Sequence, residues 1–116
     1  MDGTHAIGVD LGGTKILAGV VARDGKVVRR HERPTPQDSQ EHVLAELEAA
    51  VVELLDDSVA AVGFGAPSPI DQRRGVVVQC VNVPLVDAPV RDHMHRRFGL
   101  PVGLENDANA AAIGEW

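Results

Sequence analysis

Ile7-Gly8-Val9-Asp10-Leu11 and Ile16-Leu17-Ala18-Gly19-Val20-Val21 are two apolar runs separated by Gly12-Gly13-Thr14-Lys15. Gly-Gly between such runs predicts a hairpin, so this stretch commits the chain to a strand, a tight turn and a second strand. The glycines permit a positive φ or a close backbone approach to a ligand. A plain hairpin, however, has no use for Asp10 at the end of its first strand or for Thr14-Lys15 just past the turn. Together these bring a carboxylate, free backbone N–H groups, a hydroxyl and an ammonium around one small space. Backbone N–H groups in such a turn make a concavity suited to phosphate, and a neighbouring carboxylate can hold Mg²⁺ directly or through water. A surface hairpin with incidental charges is the competing reading of this stretch taken alone.

The rest of the chain reads in order from there. Asp24-Gly25 is a second turn, predicting a third antiparallel strand over 26–32 that Pro34 and Pro36 end. Asp38-Ser39-Gln40-Glu41 resembles a capping box in which Glu41 reaches back to the cap. The helix it opens shows an apolar face of Val43, Leu44, Leu47, Ala50, Val51, Leu54 and Leu55, with its glutamates as a solvated face. A buried strand over 59–64 empties into a loop over 65–71 stiffened by Pro67 and Pro69. A strand over 75–79 and a loop over 80–88 follow. Asp87 is then expected to cap a second helix, with Pro89 in its first turn. Val90, Met94 and Phe98 form the edge of that helix and Gly99 closes it. A last strand over 101–105 runs straight into a helix starting at Asn106-Asp107. Three antiparallel strands, then helix, strand, strand, helix, strand and helix make a mixed α/β plan.

Bulk properties narrow the function. With 116 residues the chain has room for one domain. A net charge of −6 argues against a nucleic-acid partner. The single cysteine, Cys80, rules out an internal disulfide and suits a reducing compartment. No run is long enough to span a membrane, and the first five residues carry neither a basic patch nor an apolar core of a leader. These readings predict a cytoplasmic protein. The final helix stops at Trp116 without a glycine, proline or basic cap, which reads as truncation.

Asn106-Asp107 stands where a strand gives way to a helix. Asn and Asp are favoured helix caps. A carboxylate at a helix N-terminus is also kept ionised by the dipole, which suits it to accept a proton from a hydroxyl. The Asn106 amide offers a donor and an acceptor for sugar hydroxyls. Cap and catalyst are compatible roles. His93 and His95 lie two apart on a helix and so face differently, which predicts no metal site there; His5, His31 and His42 are scattered.

Three stretches in this order, Asp10-Leu11-Gly12-Gly13-Thr14-Lys15, then Gly63-Phe64-Gly65-Ala66-Pro67-Ser68-Pro69-Ile70-Asp71, then Leu100-Pro101-Val102 with Glu105-Asn106-Asp107-Ala108-Asn109-Ala110-Ala111, resemble the ROK family of bacterial glucokinases, related sugar kinases and sugar-responsive repressors. The resemblance covers almost the whole chain. It implies an actin-like, ribonuclease-H-like α/β fold in which ATP and sugar meet between two lobes, residues 1–116 being the N-terminal lobe. By position, it implies ATP-phosphate contacts from Gly12, Gly13 and Thr14, with Lys15 as in the ATP-using members, and Asp10 beside Mg²⁺. It makes Asp107 the general base on the sugar hydroxyl, Asn106 a sugar ligand, and Gly65, Ala66 and Pro67 the lining of the sugar pocket. The expected substrate is a hexose, most simply glucose, and family members tend to form homo-oligomers.

The chain departs from the pattern in places. Ser68 replaces a usual glycine, and a positive φ there would cost a serine about 1 kcal/mol. Asn82-Val83-Pro84-Leu85 lacks the aromatic of a related family stretch. The family's cysteine-rich zinc motif, its further sugar-binding residues and its adenosine-binding lobe match no residue of this sequence, Cys80 included. A non-catalytic sugar- or phosphate-binding fragment, or a regulator without its DNA-binding domain, is the alternative; the nine residues before Asp10 leave no room for a helix-turn-helix.

Overall fold

The opening hairpin forms as its sequence dictates, with β1 (His5–Leu11) pairing antiparallel to β2 (Lys15–Ala22) so that Leu11 faces Ile16 and Gly8 faces Gly19. The computed structural model describes residues 4–116; the first three residues, read above as part of a terminus without a leader, lie outside the described residues. β3 (Val27–Pro34) adds antiparallel to β2. It runs through Pro34, two residues beyond its predicted end, because β3 is an edge strand and a missing N–H on its outer side breaks no ladder bond.

After helix α1 (Gln40–Leu54), strand β4 (Val59–Gly65) returns parallel to β1. Strand β8 (Val102–Glu105), reached through helix α2 (Val90–Phe98), pairs parallel to β4. The five-stranded order is therefore β3-β2-β1-β4-β8. A small sheet of β5 (Ile70–Asp71), β6 (Val76–Gln79) and β7 (Val86–Ala88) fills the connection between β4 and α2. Helix α3 (Ala108–Glu115) ends the described chain.

The main core lies on one face of the large sheet. Ile7, Val9 and Leu11 of β1, Ile16 and Val20 of β2, Phe64 of β4 and Leu104 of β8 meet Val43, Leu47 and Val51 of α1 and Met94 of α2. Glu48 ties the two helices, accepting from Arg97 (3.0 Å) and pairing with His93 (2.7 Å). Arg33 of β3 pairs with Glu46 of α1 at the core's rim.

α3 covers the other face by a different device. Register aligns Gly19, Gly8, Gly63 and Gly103 in one row across β2, β1, β4 and β8. A Cβ on Gly63 would overlap the Ala112 amide nitrogen, and one on Gly103 the Ala111 carbonyl. The backbone of α3 thus rests on the backbone of the sheet, with Ala108, Ala111 and Ala112 buried between them.

Two local expectations are corrected, and the backbone conformation of the two loops is settled. Ser39 caps α1 by accepting from the His42 amide (3.1 Å), which puts His42 at the position a capping-box glutamate would fill. Asp38 bonds the His42 ring at 2.7 Å, and no bond from Glu41 back to the cap is seen. Asp87 does not cap α2. It belongs to β7 with φ 47°, and the cap position falls on Pro89, whose side chain has nothing to donate or accept. The turn glycines Gly12 and Gly13 are not among the residues with positive φ, and neither is Ser68, so the serine carries no left-handed penalty.

Candidate active site

The parallel strands β1, β4 and β8 all end at the same edge of the sheet, and Asp10, Gly65 and Glu105 stand side by side in the last paired row. Open α/β sheets bind ligands beyond the carboxyl ends of their strands. Here that edge carries the polar residues singled out from sequence. Asp10, Asn106, Asp107, Ala108 and Asn109 line an open cleft of about 310 Å³. A second concavity of about 490 Å³ adjoins it on the α3 face, over Gly8, Leu17, Gly19 and Arg30, and shares Asp10, Ala108 and Asn109 as its boundary.

Asp10 reaches the cleft because β1 alternates, burying Val9 and Leu11 and turning Asp10 to the opposite face. Loss of hydration within the fold, and then the like charge of Asp107, raise its carboxyl above the ordinary carboxylate range. The shared lining of one cleft by Asp10, Asn106 and Asp107 brings residues of the first and third sequence motifs together.

Asp107 takes the cap position the sequence allowed. It is the N-cap of α3, its Oδ1 accepting from the Ala110 amide at 2.9 Å. Its other carboxylate oxygen accepts from no protein group among the described residues, and the side chain is exposed.

Asn106 is more committed than expected. Its Nδ2 donates to the carbonyls of Ala66 and Ser68, both at 3.1 Å. Its donor capacity therefore fixes the loop after β4, and Oδ1 is what it can offer a ligand. Of the loop residues, Pro67 is exposed whereas the side chain of Ala66 is buried in the core. Gly65 serves the approach of α3, since a Cβ there would lie 2.5 Å from the Ala108 amide nitrogen.

The turn between β1 and β2 closes with the Gly12 amide donating to the Lys15 carbonyl at 2.9 Å, and a Cβ on Gly12 would sit 2.8 Å from that same oxygen. The amides of Gly13 and Thr14 donate to no protein group among the described residues. Lys15 is exposed and stands 3.7 Å from Glu32. Sequence reasoning missed Asn82, which approaches Gly13 from the loop over 80–85 in a left-handed conformation (φ 67°). It also missed Thr35 and Gln37 beneath the turn. An asparagine in an irregular loop and a threonine between two prolines are weak signals, and the close approach that matters is tertiary.

A family model described as ROK family matches residues 6–116. The chain belongs to the ROK family. Among ROK relatives, the glucokinase of Streptomyces coelicolor is 41% identical over 110 residues, covering 95% of this chain and 35% of that protein. The Thermotoga maritima glucokinase is 39% identical over 112 residues, with 94% and 35% covered. The crystal structure of a ROK family glucokinase from Streptomyces griseus, in complex with glucose and AMPPNP, superposes with a TM-score of 0.80 at 41% identity, covering 91% of this chain and 34% of that one. The fold is accordingly the actin-like ATPase fold of ROK sugar kinases. This ROK chain spans about a third of the length of the relatives it matches. No helix among the described residues is long and apolar enough to cross a membrane.

Proposed function

We propose that residues 1–116 are the N-terminal lobe of an ATP-dependent hexose kinase of glucokinase type, which moves the γ-phosphoryl group of ATP to a sugar hydroxyl, glucose being the foremost substrate. One observation carries the reading: the Asp10 carboxylate, unengaged turn amides (Gly13, Thr14) and a capped carboxylate with one free oxygen (Asp107) all belong to one edge of the sheet, with both carboxylates lining one cleft. Glucose and AMPPNP bound together in the similar Streptomyces griseus enzyme support both substrates.

Phosphoryl transfer requires alignment and charge neutralisation more than covalent work by the protein. Gly12, Gly13 and Thr14 would bind phosphate oxygens through backbone N–H groups and the Thr14 hydroxyl, with Lys15 adding positive charge at the rim. Asp10 would hold Mg²⁺, directly or through water. The fit lies in its chemistry, because a carboxylate disfavoured by lost hydration and a like charge gains from a cation. When bound, Mg²⁺ neutralises charge on the phosphate oxygens. Asp107, oriented by its cap bond, would take the proton of the sugar hydroxyl at its free oxygen. Asn106 would accept from a second hydroxyl through Oδ1 while its amide holds the loop, and Pro67 with the backbone of Gly65 and Ala66 would wall the pocket. The same reading makes this a cytoplasmic enzyme able to form homo-oligomers, with its adenosine-binding lobe outside these residues.

Sugar-dependent ADP release, measured in the full-length enzyme with glucose, mannose, fructose and N-acetylmannosamine, tests the assignment. Asp107→Asn keeps the helix cap and loses the base. It is expected to cut turnover by about 10²–10⁴-fold while glucose still binds. Near-normal turnover would end the assignment.

A further inference from the structure

The turn between β1 and β2 is held from one side by a short segment the proposed chemistry has not used. The Thr35 hydroxyl donates to the Gly12 carbonyl at 2.8 Å, the Gln37 amide donates to the Gly13 carbonyl at 2.8 Å, and the Thr35 backbone N–H donates to the Thr14 carbonyl at 3.0 Å. Consecutive carbonyls of the turn are thus all engaged by residues 35–37. Thr35 is 6% exposed, a buried polar side chain whose hydroxyl is spent on this contact.

A trans peptide unit is planar, with its C=O and N–H pointing in opposite directions. Drawing the Gly12 and Gly13 carbonyls toward Thr35 and Gln37 therefore turns the N–H groups of Gly13 and Thr14 the other way. Those are the amides left without a protein acceptor. Two adjacent N–H groups aimed the same way favour an anion. A turn free to flip its peptide planes would point them together only part of the time.

We infer that Thr35 is the positioning residue of the phosphate turn, assisted by Gln37: by fixing the carbonyls of residues 12–14 on one side, this strap preorganises the Gly13 and Thr14 amides to receive phosphate oxygens on the other. The inference rests on the phosphate-turn reading above. Thr35 touches no substrate in this role; it acts through the backbone.

The test is a titration of the ¹⁵N-labelled full-length enzyme with tripolyphosphate, following the Gly13 and Thr14 amide resonances. The unmodified enzyme is expected to show saturable shifts at both. Thr35→Val keeps the side chain's shape and removes its donor, and is expected to weaken binding about fivefold or more. Thr35→Ser restores the hydroxyl and is expected to return affinity to within about twofold. Gln37→Ala, at an exposed position, is expected to weaken it about two- to threefold and reads out the strap even if Thr35→Val does not fold. Unaltered affinity in the folded variants would overturn the strap's role and leave the phosphate turn standing. Failure of Thr35→Ser to restore binding would also overturn it, by marking the effect as packing. Absence of shifts at Gly13 and Thr14 in the unmodified enzyme would overturn the phosphate-turn reading itself, and the strap with it.

Discussion

The two faces of the central sheet solve the same packing problem with opposite materials. Toward α1 and α2 the strands present Ile7, Val9, Leu11, Ile16, Val20, Phe64 and Leu104, and the helices answer with Val43, Leu47, Val51 and Met94. Toward α3 the strands present Gly8, Gly63 and Gly103, and the helix answers with alanine. Large side chains fill the first interface; the second is filled by the small side chains of Ala6, Ala61 and Ala112, with Trp116 packed against them. The first face accounts for most of the apolar burial. The second gives up side-chain burial so that α3 can approach closely, and that approach sets its N-terminus, with Asp107, against the ends of β1 and β4 beside Asp10. One face supplies stability and the other supplies placement.

The comparison can be broken most sharply at the glycine row. Gly63→Ala adds a single carbon, yet that carbon would overlap the Ala112 amide. Since backbone has no rotamer with which to yield, loss of about 4 kcal/mol or detachment of α3 is expected, measured as a urea midpoint together with helix content. On the opposite face, Leu47→Ala deletes a side chain 2% exposed. It is expected to cost about 3 kcal/mol by the same measurement, through an ordinary cavity. Should the larger deletion cost more than the single added carbon, the backbone-on-backbone account of α3 fails.

The smallest effect has the opposite sign. The carboxyl of Asp10 is raised in the folded chain, so its ionised form opposes folding above that raised value. As pH falls through the folded value toward the ordinary carboxylate range, the native state takes up the proton first and the penalty lifts. Asp10→Asn is therefore expected to raise the thermal midpoint at pH 7, with the gain fading as pH drops into the carboxylate range. A scan at several pH values checks this, and a lowered midpoint at neutral pH would contradict it. If Asp10 holds Mg²⁺ as proposed, the same variant also loses Mg²⁺-dependent activity in the full-length enzyme.

Local pattern made much of this legible. Hairpin, helix faces, the Gly99 stop and the strand-to-helix junction at Asn106-Asp107 all follow from signals within a few residues of each other, and the site motifs sit on them. β5 and β7 escaped because strands of two and three residues show no period. Asp87 misled because an aspartate before Pro89 reads as a cap, while its place is fixed by pairing with β6 and a left-handed backbone. The glycine row could not be read at all. Its members lie at positions 8, 19, 63 and 103, and only strand order and register bring them into line. Thr35 and Gln37 were hidden for the same reason, since what their donors meet is decided across the fold.

Pro34, noted above only for prolonging β3, bears on how this molecule meets its own kind. An outer strand is a template on which another chain can lay a strand of its own, the first step toward runaway polymers. Here that strand withholds an N–H at Pro34 and carries Arg29, Arg30, His31, Glu32 and Arg33 in succession. Incoming backbone meets charge and an interrupted ladder. Continuation of the sheet past β3 is therefore disfavoured, and this edge stays closed to another copy's strand.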